Sequence, residues 1–337
     1  MTAQPSNGEI ARVIKLADSG AAQEIFGPLH RHLAHIQEAF RDPNAPRGAP
    51  AYRLTLDAQG DQLTVRAREG GGADIERVQR IIDALTDLVR RKGRIREGDV
   101  LAAISFSEGA SDAPGPLTLP QLGGLTLRTP RQVHYVEALR DENLDLIFGV
   151  GPAGTGKTFL AVAAAVEALK QERVDRIIVT RPAVEAGEKL GYLPGDLAEK
   201  VDPYLQPIWD AFRSQMSEND LKARRERRQI EVAPLAFMRG RTLSNAFVIA
   251  DEAQNATVLQ MKMVLTRLGE GSRMVVTGDP SQIDLVRADQ SGLAHAVSIL
   301  EHLPGVEVIR FASQDVVRHR LVARVVEAYH RDESSRG

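Results

Sequence analysis

The run Gly151-x-x-x-x-Gly156-Lys157-Thr158, within "GVGPAGTGKTFLA", constrains this chain more than any other stretch. The apolar segment "LDLIFGV" leads into it and the alanine-rich "TFLAVAAAVEALK" leads out. A glycine-rich turn joining a strand to a helix predicts a parallel α/β sheet. The glycines let the backbone curl without Cβ clashes. Gly151, Pro152, Ala153, Gly154, Thr155 and Gly156 can then wrap the β- and γ-phosphates of a nucleotide. Lys157 supplies a point charge to those phosphates, and the Thr158 hydroxyl suits Mg2+.

Strand-like runs recur after it: "RIIVT", "QIEVA", "AFVIA", "RMVVT" and "VEVIRF", most of them separated by helical segments. That alternation predicts a sheet covered by helices on both faces. Functional candidates cluster where these strands end, because ligands bind at the carboxyl ends of parallel strands. "NAFVIADEAQNAT" ends in Asp251 and Glu252. Asp251 is expected to hold Mg2+ through water and Glu252 to polarise an attacking water as general base; the alternative is a capping pair for the next helix. A nucleotide switch has no need of the second carboxylate, so the pair favours hydrolysis.

"RMVVTGDPSQIDL" brings Gln282 near the expected γ-phosphate position, where its amide can sense that group. The alternative is a turn made by Asp279, Pro280 and Ser281. Arg181, in "IIVTRPAV", reads equally as a phosphate or nucleic-acid contact and as a structural ion pair. Arg318 and Arg320, in "SQDVVRHRLVARVVEAY", read as arginine fingers or as solvated helix residues. Gln132, in "LRTPRQVHYVEAL", can pair with the two hydrogen-bonding edges of adenine or simply start a helix. No Asn-Lys-x-Asp guanine motif is present, which favours ATP.

Residues 8–105 carry a different pattern. "ARVIKL" predicts a strand, "AAQEIFGPLHRHLAHIQEAF" one helix, "AYRLTLDAQGDQLTVRA" a hairpin and "ADIERVQRIIDALTDLVRRKG" a second helix capped by Gly93. The expected result is a small β-α-β-β-α domain of α+β type. Residues 106–123 are rich in Ser, Gly and Pro and predict a linker, with the ATPase domain over 124–332.

His30, His32 and His35 invite a metal reading but lack a completed ligand set, so a solvated or half-buried helix is expected. Trp209 and Phe212, three apart, predict a small packed cluster, with base stacking as the sharper alternative. "LKARRERRQIEV" places five basic residues around Glu226, either a solvated helix face or a strip that meets phosphates. The 337 residues contain no cysteine, so disulfides and thiolate metal sites are excluded, and the net charge is −2. With no apolar run of membrane-spanning length and no secretory pattern, a cytoplasmic protein without membrane association is expected.

Taken together, "GPAGTGKT", "TRPAV", "VIADEAQ" and "TGDPSQID" resemble the first motor half of superfamily-one helicases. "RPAVEAGEKLGYLPGDLAEKVDPYLQPIWDA" and "PLAFMRGRTL" narrow this to the PhoH family of ATPases, over residues 8 to 330. The resemblance implies a single RecA-like P-loop core, a parallel sheet with helices on both faces, preceded by a small α+β KH-like domain. It implies ATP bound at residues 151–158, Mg2+ at Thr158 and Asp251, and Glu252 as base. It also implies a role near RNA and ribosome maturation, alongside the endoribonuclease YbeY. The resemblance accounts for the sequence without the nuclease domain that some relatives carry, so nuclease activity is not expected of it. No G-x-x-G clamp is found in residues 18–45, so the first domain reads as a docking or assembly module. One RecA-like lobe is also half of what a translocating helicase uses. Strand movement would need a neighbouring subunit, which implies a homo-oligomer, for instance a ring, with Arg318 or Arg320 reaching across.

Overall fold

A computed structural model describes residues 9–42, 51–109, 117–182, 197–285 and 290–317, with Val325. The chain divides into two compact units, Met1–Pro130 and Arg131–Gly337.

The first unit holds β1 (Glu9–Lys15), α1 (Ser19–Phe26), α2 (Arg31–Glu38), β2 (Leu54–Gln59), β3 (Gln62–Arg68), α3 (Gly72–Lys92) and α4 (Glu97–Gly109), followed by the short strands β4 (Gln121–Leu122) and β5 (Leu125–Thr126). β3 is the central strand of an antiparallel sheet ordered β1-β3-β2. Gln59 pairs with Gln62, so the hairpin turn is Gly60-Asp61, with Gly60 at φ 62° as a two-residue turn requires. Leu63, Val65 and Ala67 alternate inward along β3. They meet α3, which buries Ile75, Val78, Ile81, Ile82, Leu85 and Leu88 at helical spacing. Gly93 ends α3 in the left-handed conformation, its N–H on the Val89 carbonyl at 2.7 Å.

Two expectations for this unit are corrected. The predicted first helix is broken into α1 and α2 at Gly27-Pro28-Leu29-His30, where Gly27, Leu29 and His30 have φ of 72°, 51° and 57°. Pro28 has no N–H to continue the helical ladder, and Gly27 closes α1 with its N–H on the Gln23 carbonyl at 3.0 Å. The second correction is α4, which the periodicity did not separate from its surroundings. Its Val100, Ala102, Ala103 and Ile104 are all buried, so no polar face marks it as a helix.

The histidines also differ from expectation. His32 and His35 are each only 6% exposed. His32 Nδ1 lies 3.1 and 3.2 Å from the Glu24 and Ile25 carbonyl oxygens, and His35 Nε2 lies 3.0 Å from Glu97 Oε1. They lock α2 against α1 and α4. Among the described residues no group of three metal-ligating side chains converges.

The second unit contains α5 (Pro130–Arg140, starting one residue before the division), β6 (Leu146–Val150), α6 (Lys157–Lys170), β7 (Arg176–Arg181), α7 (Leu197–Arg213), α8 (Glu218–Glu226), β8 (Ile230–Pro234), β9 (Ala246–Ala250), α9 (Val258–Leu265), β10 (Arg273–Gly278), α10 (Gly292–Leu300) and β11 (Val306–Arg310). All six predicted strands are present. They form one parallel sheet ordered β11-β6-β10-β9-β7-β8. From β6 the chain crosses toward the β8 edge, and from β10 it crosses toward β11. The carboxyl ends of β6, β10 and β9 therefore meet at a topological switch point. α6 lies over the middle of the sheet with Leu160 through Val166 all buried, and α7 packs beside it. Trp209 and Phe212 on α7 are buried with ring centroids 6.0 Å apart, and the Arg225 guanidinium lies 4.3 Å above the Trp209 ring. The indole is thus a floor beneath Arg225, and an arginine occupies the face on which a base would stack.

A Cβ added at Gly27 would lie 2.6 Å from the His32 ring, whereas one at Gly60 would meet nothing within 4 Å. Both residues have positive φ. Gly60→Ala is therefore expected to cost about 1 kcal/mol from backbone strain alone, and Gly27→Ala about 2–4 kcal/mol from strain plus overpacking. Urea unfolding of both variants measures this; equal losses would contradict the steric account.

Candidate nucleotide site

The loop between β6 and α6 takes the form its glycines permit. Gly151, Gly154 and Gly156 have φ of 143°, 84° and 86°. At Gly151 a Cβ would sit 2.4 Å from the Phe311 carbonyl oxygen, so both conformation and space demand glycine there. Gly156 precedes the first turn of α6, whose free N–H groups face the loop. Two neighbouring segments hold the loop. The Gly151 N–H donates to the Gly278 carbonyl at 3.1 Å, and the Val317 N–H donates to the Gly154 carbonyl at 2.9 Å.

Lys157 is 8% exposed, and its Nζ donates to the Gly151 and Pro152 carbonyl oxygens at 2.7 and 2.8 Å. Burial holds its pKa below the usual lysine range, opposed by the nearby carboxylates of Asp279, Glu252 and Asp251.

Asp251, one residue beyond β9, is 4% exposed and accepts from both Thr158 Oγ1 at 2.6 Å and Thr277 Oγ1 at 2.7 Å. The next residue, Glu252, sits in the left-handed region at φ 51°, ψ 39°. Its carboxylate is 3.5 Å from Arg181 Nη2 and accepts from Gln254 Nε2. Gln254 is 1% exposed, and its Oε1 accepts the Asp279 N–H at 3.0 Å. Asp279 in turn accepts the Ala153 N–H at 2.9 Å, besides the N–H and hydroxyl of Ser281. A hydrogen-bonded chain thus runs from Glu252 through Gln254 and Asp279 to the loop backbone.

The cavity, half open to solvent, is about 250 Å³ and is lined by the loop, Lys157, Thr158, Asp251, Glu252 and Gln282, with Phe159 at its side. Carboxylates, a lysine, hydroxyls and backbone N–H groups all converge on it, a donor set suited to phosphates and a hard cation. Behind it, Tyr135 on α5 is fully buried with its ring edge-on to Phe311. Burial, and secondarily the Asp251 charge, push its hydroxyl far above the usual tyrosine pKa, so it stays neutral.

Of the residues singled out in the sequence, the loop, Lys157, Thr158, Asp251, Glu252 and Gln282 are brought together here. Arg181 joins them through Glu252. Gln132 is 5% exposed and its Nε2 donates to the Thr155 carbonyl at 2.9 Å, so it braces the loop from behind. Arg318 and Arg320 lie outside the described residues. Sequence reasoning missed the parts played by Thr277 and Gln254, and saw in Asp279 only a turn. The available signal was a polar residue ending an otherwise apolar strand: Thr277 follows "RMVV" as Asp251 follows "AFVIA".

Residues 124–330 match the family described as PhoH-like protein. The chain is 47% identical over 283 residues to the PhoH-like protein of Bacillus subtilis (strain 168), covering 82% of this chain and 87% of that protein. It is 49% identical over 284 residues to the PhoH-like protein of Mycobacterium tuberculosis (strain ATCC 25618 / H37Rv), covering 82% and 79%. Among solved structures, the Sulfolobus solfataricus SWI2/SNF2 ATPase core in complex with dsDNA aligns at 15% identity and a TM-score of 0.34, over 59% of this chain and 47% of that one. The P-loop sheet, the match across the second unit and the identity across most of the chain agree: this protein belongs to the PhoH-like family of P-loop NTPases.

Proposed function

We propose that the chain hydrolyses ATP with Mg2+ and uses the cycle to rearrange RNA or an RNA–protein assembly. The observation that carries the hydrolytic part is the pairing of two carboxylates with different surroundings at the end of β9. Asp251 is buried and doubly hydrogen-bonded through its Oδ1, which keeps it fixed. Glu252 is one-third exposed and faces the cavity. Thr158 and Asp251 offer adjacent hard oxygens, which fit a Mg2+ that keeps water and phosphate oxygens as its other ligands. Such an ion would neutralise charge on the transferring phosphoryl group.

The chain's own residues do the rest. Loop N–H groups and Lys157 bind the phosphates, with Nζ exchanging a carbonyl partner for a phosphate oxygen. Glu252 turns from Arg181 toward a water and accepts its proton as the water attacks. Asp279, tied both to the Ala153 N–H and through Gln254 to Glu252, links loop geometry to the base. Gln282, at the same cavity, is placed to respond to the γ-phosphate. In this reading a neighbouring subunit supplies the second face that one lobe lacks, with Arg318 or Arg320 completing the site.

A second reading is an ATP-gated scaffold that recruits an endoribonuclease or ribosomal partner with little turnover. The ion pair between Glu252 and Arg181, which holds the base on the β7 side, favours it.

Steady-state hydrolysis with and without single-stranded RNA separates the two. RNA acceleration is expected, with Glu252→Gln lowering turnover about 10²–10⁴-fold while ATP still binds; turnover that ignores both RNA and Glu252→Gln would leave the scaffold. Thr277→Val removes one of the two hydroxyls that orient Asp251. It is expected to raise the Mg2+ concentration for half-maximal turnover about 10–100-fold, as loss of an outer partner does at metal sites. A MgCl2 titration of ATPase rate measures it, and an unchanged midpoint would remove Thr277 from the cation site.

A further inference from the structure

A second cavity, about 740 Å³ and open to solvent, lies at the edge of the sheet between α8 and β8. Its walls carry Lys222, Arg225, Arg228 and Arg241 against Glu226 and Glu231. Arg241 and Glu231 satisfy one another through two bonds at 2.6 and 2.8 Å. That leaves three cations facing one carboxylate, and among the described residues none of Lys222, Arg225 and Arg228 forms a salt bridge. Arg224, on the same helix, is by contrast paired with Asp220 at 3.0 Å.

Two of the three cations are presented in defined ways. The Arg225 guanidinium carbon sits 4.3 Å above the centroid of the buried Trp209 ring, so an exposed arginine is supported from below by an indole. Arg228 stands at φ 58°, in the position after a helix end that usually takes glycine, with its N–H on the Arg225 carbonyl and the Gln229 N–H on the Arg224 carbonyl, both at 2.9 Å. Glycine would make that turn with less strain, so the arginine side chain is what distinguishes the position. Lys222, Arg225 and Arg228 follow one another at intervals of three residues, and all three line the groove.

We propose that this groove binds the phosphodiester backbone of single-stranded RNA, with a base stacked on the outward face of Arg225. Cations that outnumber the carboxylates facing them suit a ligand whose charges repeat, and a guanidinium supported on an indole suits a planar ring. An acidic protein segment would use the charges but not the plane. The groove also has a route to the nucleotide. β8 is an edge strand whose neighbour in the sheet is β7, with Pro234 in register with Arg181, the residue beside Glu252. The inference rests on the RNA-coupled reading above and adds where the RNA is held.

Trp209 is the one tryptophan in the chain, so its emission reports on this groove directly. Titration of the full-length protein with a short oligouridylate is expected to change Trp209 emission along the same curve as the anisotropy of the labelled oligonucleotide. Arg225→Glu with Arg228→Glu is expected to weaken binding at least about 10-fold. The slope of log affinity against log salt should fall by about 0.7, the one phosphate contact that Arg228 supplies, since Arg225 contributes through stacking. Lys222→Glu, which leaves the Trp209 stack alone, should weaken binding in the same sense. Arg213→Gln, whose guanidinium Asp210 and Glu218 already neutralise, should not change it. Basal ATPase of each variant verifies folding. An equal loss for oligodeoxythymidylate assigns the contacts to the backbone and not the 2′-hydroxyl.

If the parent binds RNA but Trp209 emission and variant affinity are unchanged, the groove assignment falls and the RNA reading survives. If the parent binds no RNA, both fall. A loss of affinity that accompanies a changed sedimentation coefficient would make the groove a subunit contact and overturn the proposal.

Discussion

A buried carboxylate needs hydrogen bonds or it destabilises the fold that encloses it. Asp251 meets that demand with hydroxyls from two other elements, Thr158 on α6 and Thr277 on β10. The same two bonds join the loop helix, the β9 end and the β10 end into one rigid corner. The loop glycines, the bracing Gln132 and the Asp279 cap are arranged around that corner. The geometry of the site is therefore a by-product of satisfying one buried carboxylate, and the stability of the sheet and the placement of Asp251 are one problem.

Next to this fixed carboxylate stands a strained one. Glu252 occupies the left-handed region, which costs a non-glycine residue roughly 1–2 kcal/mol, and it is held between Arg181 and Gln254. The surrounding contacts over-determine that conformation, as they must for strain to persist. The fixed residue and the strained residue are consecutive in sequence, so the corner anchors both. Gln254 ties Glu252 to the loop through Asp279.

The sheet was legible because its strands are covered on both faces, and double burial writes itself as unbroken apolar runs such as "AFVIA" and "RMVV". The loop was legible because its φ angles require glycine at fixed spacing. The α1–α2 break was less so: amphipathic periodicity on both sides of Gly27-Pro28 outweighed the breaker itself. α4 was hidden for the opposite reason, since apolar residues on successive sides of a helix, Val100 through Ile104, leave no periodicity to read. Within the site, the residues at strand ends could be named, but their hydrogen bonds could not. Thr277 and Asp251 are joined only once the register of β9 and β10 is set, with Val276 opposite Ala250. Gln132 was legible as a polar residue near the loop, but its bond to the Thr155 carbonyl was not.

The strand order has a consequence for how the chain is made. β6, which launches the phosphate loop, lies between β10 and β11, and these begin at Arg273 and Val306. During synthesis the N-terminal unit, whose strands pair locally, can close while the rest is still emerging. β6 must wait with both edges bare until β10 has been made, and with one edge bare until β11 follows. For that interval the segment that launches the phosphate loop is an apolar strand with an open edge, a template for wrong pairing until β11 arrives.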